Sequence, residues 1–386
     1  MAMNTLSSRP VRLISALVLA AGSSWFASPA LAESGSGEEF FEQVTRQFKA
    51  WDKDGDGLLS TNEVDLAVGD VTVTGRSAAA VAALKRALRS PKLSLPPLTM
   101  ANVQVLTTNV TATNSPDFGR MFAEGWRQLS NAPSRELFRS ELPELETIHQ
   151  GKLGNCFTLA PLGAVVHHDP EQVRRMFTAL DDGNFRVTFG KQSVVVSPLT
   201  DAELAMTSSN ERNGIWVNLY EKAIGQARNA GRPVAEPSGS AIDALARGGS
   251  AGTMLAFITG HEITRFSFKF AKDPEVTAEV RAAKIEELKI KLAEAAREGR
   301  LMTCGTIKTT TPGITPNHAY AVLAYNDKTA EVQVWDPHGD DFEPKGETGA
   351  QYGYPSKDGV YWIPVTEWVR QFSGMAFEVR PPEGVL

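Results

Sequence analysis

A carboxamide, a glycine turn and a cysteine that opens a helix are the parts of an acyl-transfer site, and Gln150-Gly151-Lys152-Leu153-Gly154-Asn155-Cys156-Phe157 carries them in that order. A helix N-terminus favours a thiolate through its free N–H groups and its dipole, and a nearby imidazole favours it further. Attack on a carbonyl then creates an oxyanion, for which the Gln150 amide and the Cys156 backbone N–H are the candidate donors. The base has to come from far along the chain and meet the cysteine in space. Asn317-His318-Ala319-Tyr320-Ala321-Val322 offers a histidine at the head of an apolar strand. In Val334-Trp335-Asp336-Pro337-His338-Gly339 a second strand ends at a turn, which places Asp336 to fix the His318 tautomer and stabilise its imidazolium. Taken singly, a cysteine is more often a small core residue and a histidine a satisfied buried one. Their joint placement turns that balance toward catalysis.

A second cluster asks for a hard cation. Asp52-Lys53-Asp54-Gly55-Asp56-Gly57-Leu58-Leu59-Ser60-Thr61-Asn62-Glu63 fills the twelve positions of an EF-hand loop, with acids at 1, 3, 5 and 12 and glycine at 6. Asp52, Asp54, Asp56, the Leu58 carbonyl and a bidentate Glu63 are the expected calcium ligands, with Ser60 acting through water. No second acidic loop follows, so a partner hand over residues 76–106 would be degenerate. The expectation is a bound Ca²⁺ that stabilises rather than switches, since extracellular calcium fills even a site of about 10⁻⁴ to 10⁻³ M.

The cysteine segment resembles the nucleophile motif of the calpain family, Gln-Gly-x-x-Gly-Asp-Cys-Trp, and His318-Ala319-Tyr320 and Asp336-Pro337-His338-Gly339 resemble its His-Ala-Tyr and Asn-Pro-Trp-Gly. Over roughly residues 141–380 further landmarks are similar: Asp169-Pro170-Glu171, Trp216 and Leu219 with Glu221-Lys222-Ala223, Asp358-Gly359-Val360-Tyr361-Trp362, and Trp368-Val369-Arg370-Gln371-Phe372. The resemblance implies a papain-like fold with Cys156 on one lobe and His318 with Asp336 on the other, and hydrolysis of peptide bonds through an acyl-enzyme. The chain departs from the family at Asn155, Phe157, Asp336 and His338, and Pro161 falls five residues after the nucleophile, where it is expected to kink the helix. Two other readings compete. One is a transglutaminase-like acyl transferase, but the separation of Cys156 from His318 is of the papain type. The other is a catalytically silent calcium-binding interaction protein, yet every triad member is present.

These residues need elements to hold them. A helix–loop–helix spans residues 38–68, an alanine-rich helix runs from Arg76 to Arg89, and Pro91, Pro96 and Pro97 stop it. A helix is expected over Phe118–Leu129. Beyond Gln150 come helices at Cys156, Pro170–Phe177, Trp216–Arg228 and Pro274–Arg300 and a strand at Phe185–Phe189. Strands follow at Leu301–Gly305, Ala319–Tyr325, Ala330–Trp335 and Val360–Ile363. A helix-rich half before a strand-rich half makes an α+β chain of two lobes with a cleft between them. The expected organisation is an export signal over 1–32, an EF-hand region over 33–98, a helical spacer over 99–140 and a catalytic domain over 141–386. Its lobes divide near residue 250.

The 386 residues are 42% hydrophobic and 22% charged, an ordinary globular composition, and the net charge of -6 with scattered Lys and Arg speaks against nucleic acid as a partner. Arg9 and Arg12, the apolar run Leu13–Ala21 and Ala30-Leu31-Ala32 read as a cleaved signal peptide, so the mature chain is expected in the periplasm or outside the cell. No later run is long enough to span a membrane. The partners expected are protein or peptide substrates. With two cysteines there is no disulfide scaffold, and Cys304 reads as a core residue of a buried strand.

Overall fold

The computed structural model of the chain describes residues 1, 35–108, 115–210, 213–231 and 240–380; apart from Met1, the segment read as an export signal lies outside them. Five helices come first: α1 (Ser36–Trp51), α2 (Thr61–Gly69), α3 (Gly75–Leu88), α4 (Met100–Thr108) and α5 (Phe118–Asn131). The acidic loop joins α1 to α2, and Ser60 with Glu63 forms a capping box at the head of α2. A second pair of helices sits opposite. Leu59 in the acidic loop and Leu98 in the proline-rich connector exchange N–H···O bonds of 2.9 and 3.1 Å, so α3 and α4 pair with α1 and α2 as a second helix–loop–helix without acids. The groove between the two helix pairs is filled by α5, whose Phe118 stacks on Phe40 at 4.6 Å while Phe122 meets the same ring edge-on.

Helix α3 is buried on all sides. Ala78, Ala79, Ala80, Ala82, Ala83 and Ala87 are almost fully covered, and small side chains let neighbouring backbones approach closely. Its far side packs on α8 (Asp201–Met206), so the alanine run is where the helical region joins the first lobe. The hydrophobic core is continuous there, running from Phe40 and Val44 through Val81 into Trp216, Leu219 and Tyr220.

The first lobe is built around α6 (Cys156–His168), buried along its length, with α7 (Pro170–Arg175) following it. It adds an antiparallel sheet in the order β1 (Phe177–Ala179), β2 (Phe185–Phe189), β3 (Gln192–Val196). Helices α8, α9 (Trp216–Ala230), α10 (Ala241–Ala246) and α11 (Ala251–Thr259) complete it. Pro161 lies inside α6, which runs on without a break to His168. The second lobe is an antiparallel sheet of six strands in the order β4 (Glu262–Ser267), β9 (Gly374–Val379), β5 (Met302–Gly305), β6 (Ala319–Asn326), β7 (Glu331–Trp335), β8 (Val360–Pro364). One face is covered by α13 (Ala278–Arg297), α14 (Val365–Gln371) and the short α12 (Lys269–Lys272), around Tyr320, Trp368 and Phe372. The other face meets α6 and α11, with Ala321, Leu323 and Trp335 entering the first core. Gly163 makes that contact possible, because a Cβ there would fall 2.3 Å from Cζ3 of Trp335. The chain is α+β with its strands divided between two lobes. No described helix is long and apolar enough to cross a membrane.

Candidate active site

Cys156 is the first residue of α6, and what fixes it lies one residue back. Asn155 is fully buried; its carbonyl accepts from Thr158 N–H at 2.9 Å and Thr158 Oγ1 at 2.8 Å, and its side-chain amide donates to Glu221 of α9. Glu221 has no exposure and also accepts from the Ser208 N–H at 2.9 Å and the Ser208 hydroxyl at 2.5 Å. Burial pushes the Glu221 carboxyl up to about 7, against the pull of those hydrogen bonds. The neighbouring Ser209 exchanges backbone bonds of 2.8 and 2.9 Å with His149, and the Gln150 N–H donates to the Pro337 carbonyl at 2.7 Å. The loop before Cys156 is thereby tied to the turn that carries Asp336.

On the second lobe, His318 stands at the head of β6. Its N–H donates to Thr306 Oγ1 at 3.1 Å, and its carbonyl accepts from the Thr306 N–H at 2.8 Å. Its Nε2 lies 2.8 Å from Oδ1 of Asp336 at the end of β7. The side chain shares one cleft with Cys156, whose sulfur helps to raise the affinity of the ring for a proton, and with Nε2 committed to Asp336 it is Nδ1 that is left to serve the thiol. Asp336 is satisfied on both oxygens. The same Oδ1 receives the His338 N–H at 2.9 Å and His338 Nδ1 at 3.0 Å, while Oδ2 accepts from Thr315 Oγ1 at 3.0 Å. The rings of His318 and His338 stack at 4.4 Å, 11° from parallel.

The electrostatics follow from this crowding. Burial by itself would raise Asp336, but the hydrogen bonds and charges of His318 and His338 hold its carboxyl far below the usual carboxylate range. Burial alone would strip the proton from His318; the bonds to Asp336 and Cys156 and the charges behind them outweigh it and push the imidazole up to about 9. The pair is built to keep an imidazolium beside Cys156 at neutral pH. Cys156 is partly exposed and Cys304 buried, and neither is in a disulfide. Burial pushes the Cys304 thiol well up, which suits a core residue of β5.

Gln150 is not brought to the same point. Its side-chain N–H donates at 2.8 Å to the Leu153 carbonyl in its own loop, and it lines an adjoining recess with His149 and Lys152, not the cleft shared by Cys156 and His318. Only the Cys156 backbone N–H, of the two expected oxyanion donors, stands at the cleft in this arrangement. That cleft is a recess of about 410 Å³ between the head of α11 and the edge of the six-stranded sheet.

Three carboxylates of the acidic loop lie close enough together that they could share a cation. Carboxylate oxygens of Asp52, Asp54 and Glu63 lie within 4.8 Å of one another. Gly55 and Gly57 have φ of 74° and 80°, which turns their N–H groups onto Asp52 at 2.8 and 3.0 Å. Asp56 accepts from the Leu58 N–H at 2.8 Å, and Glu63 accepts from Lys53 at 2.7 Å and Ser60 at 2.9 Å. Bonds from the Ser60 backbone, against the opposing effect of burial, hold the Glu63 carboxyl below its ordinary value. The donor set is all oxygen and fits Ca²⁺. His318, Asp336 and His338 are equally close together, but an imidazole nitrogen binds a metal in the plane of its ring, and two stacked near-parallel rings share no plane.

Residues that the sequence did not single out for roles here are Glu221, Ser208, Thr306 and Thr315. Glu221 stood in a recognisable landmark, and an acid within an otherwise apolar helix face was the available signal. A family model described as the calpain family of cysteine proteases matches residues 122–377, which include Cys156, His318 and Asp336 and leave the acidic loop outside. A search of curated proteins finds no match.

Proposed function

The chain belongs to the calpain family of cysteine proteases, and on that premise we propose that it is an exported, calcium-binding endopeptidase with Cys156 as its nucleophile. The observation that carries this reading is that Cys156 at the head of α6 and His318 line one cleft, with His318 hydrogen-bonded to Asp336. The Cys156 thiolate adds to the carbonyl carbon of a peptide bond. The oxygen takes up the negative charge next to the Cys156 N–H at the head of α6, and Gln150 joins as a second donor by turning its amide away from Leu153. The His318 Nδ1 proton passes to the leaving nitrogen as the C–N bond breaks, and a thioester remains. Water then loses a proton to His318 and attacks the thioester, and collapse of that adduct returns the thiolate and releases the acid. Asp336 holds the imidazole in register through both steps.

Labelling with a thiol-reactive peptide epoxide tests this, with Cys156→Ser as control. The expected result is a stoichiometric adduct and casein cleavage in the wild type and neither in the variant. Absence of a Cys156-dependent adduct together with uncleaved casein would sink the peptidase reading.

Calcium enters as a structural ion held by Asp52, Asp54, Asp56, the Leu58 carbonyl and Glu63. The ion supplies charge that four carboxylates in one loop otherwise lack. By mass action, calcium at a hundredfold excess over Kd is expected to stabilise the folded chain by about 2.7 kcal/mol. Calorimetry should record binding that Asp52→Ala abolishes, with the calcium-dependent rise in melting temperature lost in the same variant. Export is supported by the basic, apolar and small-residue order of residues 9–32. N-terminal sequencing of secreted protein should begin near Glu33.

A further inference from the structure

The recess beside Cys156 has an unequal distribution of charge. Its floor is a row across four strands, Ser267, Gly374, Gly305 and Ala319, paired in register, where no side chain exceeds two heavy atoms. Two residues along on β4, and so on the same face of the sheet, stands Arg265, paired with Ala376. Its Nε lies 3.8 Å from where a Cβ on Gly252 would be, so the guanidinium rests against the first turn of α11. There its Nη2 donates to Thr253 Oγ1 at 3.0 Å. Arg265 is exposed, forms no ion pair among the described residues, and lines the recess with Cys156 and His318; no Asp or Glu lines it. A guanidinium carries five N–H donors in a planar fork suited to a carboxylate, and one hydroxyl occupies only part of that capacity. The dipole at the head of α11 acts in the same sense.

We infer that Arg265 is a specificity-determining residue, and that the preferred substrates are peptides with an acidic side chain at one position flanking the scissile bond. The inference rests on the peptidase reading. The small floor leaves room for a side chain of Glu length to enter, and the guanidinium, held by Thr253, meets its carboxylate in a charge-assisted hydrogen bond. A basic side chain at the same position meets a like charge.

Matched peptides with Glu, Gln or Lys scanned through the positions around one cleavable bond test this on the full mature chain. At one position Glu is expected to exceed Gln in kcat/KM by about tenfold, and Lys to be the poorest. Arg265→Gln should bring Glu and Gln together, Arg265→Lys should keep part of the preference, and Arg265→Glu should favour Lys. Melting curves for the three variants are expected to overlay the wild type, because the residue is exposed and loses one hydrogen bond. Casein cleavage without any acidic preference, or a preference that survives in Arg265→Gln, overturns the inference and leaves the peptidase reading standing. Absence of Cys156-dependent cleavage of every substrate overturns both.

Discussion

Replacing His318 with alanine is expected to lower kcat/KM toward a peptide substrate by about 10²- to 10⁴-fold, the usual contribution of a positioned acid–base group. The loss should lie mainly in kcat, since the imidazole acts on the leaving nitrogen and on water rather than on the bound substrate. The wild-type enzyme should also lose activity as pH rises through about 9. Burial opposes the charge on His318, and its bonds to Asp336 and Cys156 outweigh burial, so the proton leaves only near that pH. The stability linkage has the same sign. A value raised above the ordinary 6.5 means that protonated His318 stabilises the fold fully below about 6.5, and this contribution is lost on rising through about 9. Asp336 acts oppositely, its contribution being present above its ordinary 3.8 and lost as pH falls toward its depressed value. Measuring kcat/KM from about pH 6 to about pH 10 checks the assignment. An alkaline limb that persists unchanged in the residual activity of His318→Ala would show that another group sets it.

The parts of this site that were legible in the sequence are those fixed by local chemistry. A glycine turn before a cysteine announces the head of α6, and an apolar alternation after His318 announces β6. Long-range pairing was not legible. Glu262–Ser267 and Gly374–Val379, which form the outer wall of the cleft, drew no expectation, because the first is an exposed edge strand without clean alternation and the second is buried on both faces. Phe177 was read as the end of a helix, whereas its pairing with Val187 draws it into β1. Pro161 does not end α6, which continues to His168 with the loss of one N–H donor. Gln150 was placed by its spacing from Cys156, but the direction of its amide is decided by the Leu153 carbonyl, a contact that depends on the shape of the whole loop. His338 was legible only as a departure. Its stacking on His318 and its bond to Asp336 exist because the turn after β7 folds back over the imidazole.

Replacing Lys85 with methionine is expected to destabilise the protein by about 3–5 kcal/mol, the range for breaking a buried ion pair from one side. The Lys85 side chain has no exposure, and its ammonium contacts Asp65 of α2 and, at 2.6 Å, Oδ2 of Asp243 in α10. Removing it leaves two largely covered carboxylates facing each other without a cation. The loss should be recovered in part when Asp65→Asn and Asp243→Asn are added, because a neutral set of similar volume has no charge to desolvate. Asp243 is also the capping acid of α10, accepting from the Ser240 N–H at 3.1 Å, so Asn rather than Ala is the appropriate partner change. The position of Lys85 gives the result its meaning. It ties the helix that leaves the acidic loop to α10, whose Ala246 carbonyl lies 3.9 Å from where a Cβ on Gly154 would stand, two residues before Cys156. With a core shared from Phe40 to Tyr220, the helical region and the first lobe should unfold together. Thermal melting followed at once by far-ultraviolet dichroism and by Cys156-dependent cleavage should give coincident transitions in the wild type, both shifted down in Lys85→Met. Two separate transitions, with cleavage outlasting the melting of the N-terminal helical region, would mean that the two regions are merely adjacent and that the ion pairs do not couple them.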